Sequence, residues 1–308
     1  MLRRVLLAAS ASPRLRQLIV AAPQTRAIVD SYVAGESADD AVRVTRMLRA
    51  SGLLVTLDYL GEDTTDETQA AAVVDEYVKL LGKLSADGLT QGGAAEVSVK
   101  PTAVVLHLSQ ALAAENIARI CTAARDAGTT VTLDAEHYDA IELTLRIAAS
   151  LRDAHPDLGC VIQAALRRSE ADCRSLAGYG SRVRLCKGAY SNEESVAFVA
   201  KRDIDLSYAR CQKVLMNGSG YPMMATHDPR LIEITGSLAM LAGRGPDSFE
   251  YQMLYGIRPG EQRRLANTGA KMRIYVPYGG DWYSYLVRRL AERPANLAFF
   301  LRSLGSRS

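Results

Sequence analysis

This chain of 308 residues lacks most of the features that would name a chemistry at once. Histidine is scarce: His107, His137, His155 and His227 stand far apart and form no ligand cluster at short spacing. Cysteine is scarce too, and Cys121, Cys160, Cys173, Cys186 and Cys211 make an odd set with no C-x-x-C. Neither a metal centre nor a disulfide framework is therefore suggested, and a reducing compartment is expected. No apolar run approaches the ~20 residues of a membrane-crossing helix. The opening MLRRVLLAASAS has an apolar run of about five residues, short of the ~7–15 of a secretory signal. It reads as an amphipathic helix. The chain is expected to be soluble and cytoplasmic, with peripheral contact at a membrane surface left open.

Phosphate-binding signatures are missing as well. No G-x-G-x-x-G follows an early strand and no G-x-x-x-x-G-K-[ST] occurs, while Gly218-Ser219-Gly220 falls in a loop before a strand. The net charge of +3 is too small to suggest a nucleic-acid partner. Aromatics make up only 6%, most of them tyrosine. The hydrophobic share of 48% is ample for a large core.

What is present is a repeated alternation. Residues 12–50 have apolar positions at helical spacing, and residues 1–50 read as an N-terminal helical segment. From there short β-branched runs alternate with longer helical stretches. The predicted strands are Leu53–Leu57, Glu96–Val99, Thr130–Leu133, Cys160–Ala164, Val183–Cys186, Met223–Ala225, Ser248–Gln252 and Met272–Val276. Predicted helices lie between them at Asp66–Leu84, Gln110–Ala127, Asp139–Asp153, Glu170–Ala177, Val196–Met216, Pro229–Leu241 and Gly260–Ala266. A last helix, Tyr283–Arg293, follows the eighth strand. Eight β-then-α units with no break in composition point to an α/β fold, a (β/α)8 barrel over residues 51–308. A doubly wound sheet is the runner-up.

Barrel chemistry sits where strands end. Those ends carry Lys100, Asp134 in LDAE, Gln163, Arg184 with Lys187 and Gly188, then Thr226 with His227. Strands seven and eight add Glu250, Gln252, Leu254 and Tyr275. Taken singly, each has an ordinary explanation: a solvated lysine, a turn cap, a packing tyrosine. Their joint placement on one rim is the signal. Beyond strand eight, the helix carries Tyr285, Arg288, Arg289 and Glu292. Two arginines with an acidic residue one turn on can clamp a small carboxylate. Adjacent helical positions diverge by about 100°, so the long arginine stems must make them converge.

The stretches VRLCKGAY, ATHD, EYQMLYG and YVPYGGDWYSYLVRRLAERPAN resemble motifs of the proline dehydrogenases, the short monofunctional bacterial kind. The resemblance covers about residues 53–296. It implies a distorted (β/α)8 barrel that binds FAD and oxidises L-proline to Δ1-pyrroline-5-carboxylate. It further implies a quinone electron acceptor at a membrane and a pyrroline-5-carboxylate dehydrogenase as partner. By the same resemblance, Asp134 and Arg184 are the catalytic pair. Arg288 and Arg289 bind the proline carboxylate with Lys100 as a further cation, and Glu292 holds the arginines. Tyr275, Tyr285 and Leu254 wall the pyrrolidine ring. Ala135, Gln163, Lys187, Gly188, Ala189, Thr226, His227 and Gln252 contact the flavin, with Lys201 toward the adenosine end.

Three positions depart from the family pattern. Asp228 stands where asparagine is usual, Cys186 where valine is usual, and Ser191 replaces a bulkier residue. None removes a catalytic group. Two other readings compete: a Schiff-base aldolase or lyase using Lys100 or Lys187, and a non-catalytic flavin- or amino-acid-binding protein. The aldolase leaves the Arg-Arg-Glu clamp and the tyrosines without a task.

Overall fold

Eight parallel strands pair in chain order and the eighth closes on the first. This is the expected (β/α)8 barrel. The computed structural model describes residues 29–61, 64–190, 192–283, 285 and 286. A helix, α1 (Ala38–Ala50), precedes the barrel. The strands are β1 (Leu54–Tyr59), β2 (Ala95–Val99), β3 (Val131–Leu133), β4 (Gly159–Gln163), β5 (Arg182–Cys186), β6 (Tyr221–Ala225), β7 (Glu250–Leu254) and β8 (Met272–Tyr278). Between them run α2 (Glu67–Ala86), α3 (Gln110–Asp126), α4 (Tyr138–Leu151), α5 (Ser169–Gly178), α6 (Lys201–Asn217), α7 (Pro229–Leu241) and α8 (Pro259–Asn267). Among the described residues no helix is long and apolar enough to cross a membrane.

Strand alternation sorts the side chains into two populations. Val55, Leu57, Val97, Val99, Leu133, Ile162, Val183, Leu185, Ile274 and Val276 point outward and join one apolar cluster with helix residues such as Val74, Leu81, Ile117, Ile120 and Leu215. Each such side chain contributes about 1.5–3 kcal/mol on burial. The inward positions of the same strands are mostly polar: Thr56, Asp58, Glu96, Ser98, Thr132, Arg184, Glu250, Gln252 and Arg273 are all buried. The hydrophobic core thus lies between barrel and helices, and the barrel's interior is a charged lattice.

Helix starts follow local chemistry. Ser37 and Asp40 form a reciprocal capping box ahead of α1. The Asp66 side chain accepts from the Gln69 amide at 2.8 Å, and Ser109 accepts from the Leu112 amide at 3.2 Å. Three expectations need correction. β1 runs on to Tyr59 rather than ending at Leu57, because β8 pairs with it as far as Tyr278. β7 is Glu250–Leu254, two residues later than expected. The helix expected from Val196 begins at Lys201. Residues before it are held by an isolated Leu166–Ala197 bridge, with Phe198 donating to the Ala165 carbonyl at 2.7 Å.

Candidate active site

The barrel interior can be built upward from its floor. Glu96 on β2 accepts from Arg182 on β5 at 2.6 Å, and Arg273 on β8 grips Glu250 on β7 at 2.7 and 3.1 Å. The second is a two-point guanidinium–carboxylate pair, the strong geometry for such contacts. Burial by itself would raise the Glu250 pKa, but Arg273 and Arg182 outweigh it and hold the carboxyl below its usual value. Glu250 also accepts from the Gln252 amide at 2.5 Å and the Tyr221 hydroxyl at 3.2 Å.

Gln252 passes this order upward. Its oxygen accepts from Arg184 Nε at 2.6 Å. Arg184 then spends Nη1 on Ser98 at 2.8 Å and on Asp134 Oδ1 at 2.9 Å. The other Asp134 oxygen accepts from the Tyr275 hydroxyl at 2.7 Å. The Arg184 guanidinium also lies over the Tyr275 ring, 5.3 Å from its centroid. Asp134, Arg184, Tyr275 and Gln252 are therefore one hydrogen-bonded unit drawn from three strands and the residue just past β3.

Lys100, one residue past β2, is ion-paired with Asp58 on β1. Asp58 is 1% exposed. Burial is the main cause that pushes its pKa up to about 6; Lys100 opposes that, and the neighbouring Asp134 charge adds to it. Leu254 occupies the inward mouth position of β7, with its amide donating to His227 Nε2 at 3.0 Å. Tyr285 is buried.

Gln163 and Gly188 form a second corner of the mouth. The Gln163 amide nitrogen donates to the Glu136 carbonyl at 2.8 Å, while its buried Oε1 has no partner among the described residues. Gly188 has φ +101°, and a Cβ there would come within 2.9 Å of that same oxygen. Only glycine fits without displacing Gln163. Ala189 beside it is exposed, Ala135 is half-buried and Thr226 is buried. Thr226 Oγ1 accepts from the Asp228 amide at 3.1 Å.

Farther out, Lys187 pairs with Asp205 at 2.6 Å and Asp228 at 3.2 Å, and Lys201 pairs with Asp205 at 2.7 Å. The Asp228 carboxyl is held below the usual carboxylate range, first by its hydrogen bond from Arg230. It also caps α7 through the Arg230 amide at 3.1 Å. The unusual aspartate is thus absorbed into an ion cluster at the start of a helix. Cys186 is half-buried, and burial pushes its thiol up to about 11, so it behaves as packing. Arg288, Arg289, Glu292 and the substituted Ser191 lie outside the described residues.

Sequence reasoning missed Asp58 and Glu136. Asp58 is hidden because a strand ending at Leu57 stops two residues before the observed end at Tyr59. Glu136 closes the LDAE stretch and carries no signal of its own in the sequence. It is buried and accepts from the Thr102 amide at 3.0 Å and hydroxyl at 2.5 Å, which ties the loop after β3 to that after β2.

A (β/α)8 barrel whose strand ends gather carboxylates, cations and a tyrosine into one bonded set belongs to the class of barrel enzymes acting on small polar substrates at that face. The comparisons with known proteins narrow this. The family model described as Proline dehydrogenase matches residues 41–302. The chain is 39% identical over 304 residues to Proline dehydrogenase 1 of Bacillus subtilis (strain 168), spanning 99% of each. It is 33% identical over 307 residues to Proline dehydrogenase of Deinococcus radiodurans, spanning 98% of this chain and 97% of that one. Among solved structures, proline utilization A (PutA) from Bdellovibrio bacteriovorus inactivated by N-propargylglycine superposes with a TM-score of 0.82 at 27% identity. That match covers 88% of this chain and 33% of the other. The chain belongs to the proline dehydrogenase family. It is an oxidoreductase of proline catabolism, and the aldolase and non-catalytic readings fall away.

Proposed function

We propose that the enzyme is FAD-dependent, oxidises L-proline to Δ1-pyrroline-5-carboxylate by hydride transfer, and delivers the electrons to a membrane quinone. The observation that carries the reading is the Asp134–Arg184–Tyr275 unit at the barrel mouth, with contacts of 2.9 and 2.7 Å. The residues present also fit the cofactor. Gln163 offers a buried acceptor with its amide already oriented, suited to a ring N–H donor. Gly188 leaves the close approach that a flat ring system needs. The cations Lys187, Lys201 and Arg230 gather at the starts of α6 and α7, and Ala200 ahead of α6 provides no side-chain cap. Uncapped amides beside cations suit a diphosphate.

When bound, FAD supplies the acceptor for the hydride that leaves the ring carbon next to the amine. Gln163, Lys187, Gly188, Ala189, Ala135, Thr226, His227 and Gln252 would line it, with Lys201 toward the adenosine end. The chain's own residues position the substrate. Arg288 and Arg289, held by Glu292, bind the carboxylate by charge-assisted hydrogen bonds. Tyr275, Tyr285 and Leu254 enclose the apolar ring, and Lys100 adds positive charge at that side. Arg184 is fixed from below by Gln252 and from above by Asp134, so its charge faces the reacting region without needing to move. A pyrroline-5-carboxylate dehydrogenase would consume the product. This is supported by a relative named Bifunctional protein PutA in Escherichia coli (strain K12), of which the match covers 24%.

The test is to release the cofactor with acid and identify it. FAD in about one equivalent is expected. Recovery of NAD, pyridoxal phosphate or nothing from an active preparation would overturn the reading.

A further inference from the structure

Cleaving a carbon–hydrogen bond beside nitrogen as hydride requires the nitrogen lone pair. Free L-proline carries a secondary ammonium near neutral pH, so a proton must leave before the chemistry. Arginine cannot take it. Asp134 already accepts at both oxygens, from Arg184 and from the Tyr275 hydroxyl. We propose that Asp58, reached through its ion pair with Lys100, is the acceptor of the substrate's ammonium proton. The proposal rests on the proline-oxidation reading above.

The geometry supports this assignment at three points. Asp58 is in ion-pair contact with Lys100, which stands just past the end of β2 where the barrel opens. Lys100 can hand a proton to Asp58 and take one from the substrate. In that transfer the substrate N–H bond and one lysine N–H bond break. A new lysine N–H and an aspartic O–H form, and no electrons are gained or lost. Second, Tyr275 gives its one phenol proton to Asp134 at 2.7 Å, so that proton is not spent on holding the Asp58 carboxylate. Third, the groups around Asp58 are mixed in sign. Lys100, Asp134 and Tyr275 face it across the mouth, and Tyr77 on α2 and Tyr278 on β8 feel its charge from outside. One cation set against a second carboxylate leaves the site able to gain a proton.

Magnitudes agree. An ammonium of about 10 in water can be lowered by up to about 3–5 when fully buried. That brings it to the neighbourhood of Asp58, whose burial and Asp134 neighbour push it up to about 6. Donor and acceptor are then matched, as proton transfer at neutral pH requires.

The experiment is stopped-flow bleaching of the holoenzyme by L-proline between pH 5 and 10, for wild type and Asp58→Asn. Asp58 must be ionised to accept, so wild-type kcat/KM should rise through about pH 6 and then stay level to about pH 9. The variant can use only free amine. Its kcat/KM should fall about 1,000-fold near pH 7 and climb tenfold per pH unit toward the substrate's own ammonium value. Tetrahydrofuroic acid has no amine, and its Kd should change by less than about threefold, which separates proton transfer from a damaged site. A variant that loses activity equally at all pH values, or keeps the level region, overturns the proposal. If Asp58→Asn does not fold, the wild-type profile decides: a slope of one up to the substrate's ammonium value contradicts an internal acceptor. No bleaching of wild type at any pH would instead overturn the functional reading itself.

Discussion

The floor and the mouth of this barrel are built from the same materials and tuned in opposite directions. At the floor Glu250 is fully buried, yet its carboxyl is held below its usual value. At the mouth Asp58 is just as buried, and its carboxyl is pushed up to about 6. The difference is in the donors. Glu250 receives a two-point grip from Arg273, an amide from Gln252 and a hydroxyl from Tyr221. Asp58 has one lysine, and Asp134 faces it with like charge. A fully donated carboxylate is structural, because no proton can compete for its lone pairs. An under-donated one beside another carboxylate is poised to exchange a proton. Arg184 links the two regions, with Gln252 below and Asp134 above.

The contrast can be broken first at the floor. Glu250→Ala leaves Arg273 buried without its carboxylate, and should cost about 3–5 kcal/mol of stability in denaturant titration. A loss below about 1 kcal/mol would show that Glu96, 3.8 Å from Arg273, is enough to hold the guanidinium without Glu250.

At the mouth, Arg289→Met should keep most of the FAD but lower kcat/KM for proline by roughly two to three orders of magnitude, from loss of a charge-assisted contact. Unchanged kinetics would make the arginine pair a solvated helix face. A smaller effect concerns substrate choice. The apolar wall at Tyr275 crowds an added ring hydroxyl, and its phenol has no proton left to donate to it because that proton is spent on Asp134. L-proline should be preferred over trans-4-hydroxy-L-proline by at least about tenfold, and Tyr275→Ser should narrow that gap. Equal turnover of the two substrates would remove the wall from the account. The smallest effect is expected at the rim. Lys201 is 72% exposed in its pairs with Asp205 and Asp228. Lys201→Ala should change stability by less than about 0.5 kcal/mol, and kcat should stay within about twofold. A weakening of FAD binding of about three- to tenfold in equilibrium dialysis would place it beside the cofactor.

How much of this was visible in the sequence follows from the same physics. The barrel is legible because each β-then-α unit carries its own periodicity, and the polar strand ends mark one face as the candidate site. The rim residues Asp134, Arg184, Gln252 and Tyr275 were read as neighbours, and they are bonded to one another. Their partners were not legible. The sequence offers Lys100 as a cation for the substrate, but its pairing with Asp58 joins residues 42 positions apart through barrel closure. Ending strand one at Leu57 concealed Asp58, since a strand's end depends on its neighbour's register and β8 carries the pairing to Tyr59. The Lys187–Asp205–Asp228 cluster is equally hidden, because it joins side chains from past the end of β5, from α6 and from the start of α7 that only the barrel's closure brings together.

The most direct test of the whole account is an anaerobic absorbance titration of the purified protein with L-proline. An oxidised-flavin spectrum should be present at the start and should bleach on addition of L-proline. Tetrahydrofuroic acid should perturb the spectrum without bleaching it and should slow the bleaching by proline. A protein with no flavin absorbance, or a bound flavin that L-proline does not bleach, would contradict the assignment of this barrel mouth as a site for proline oxidation.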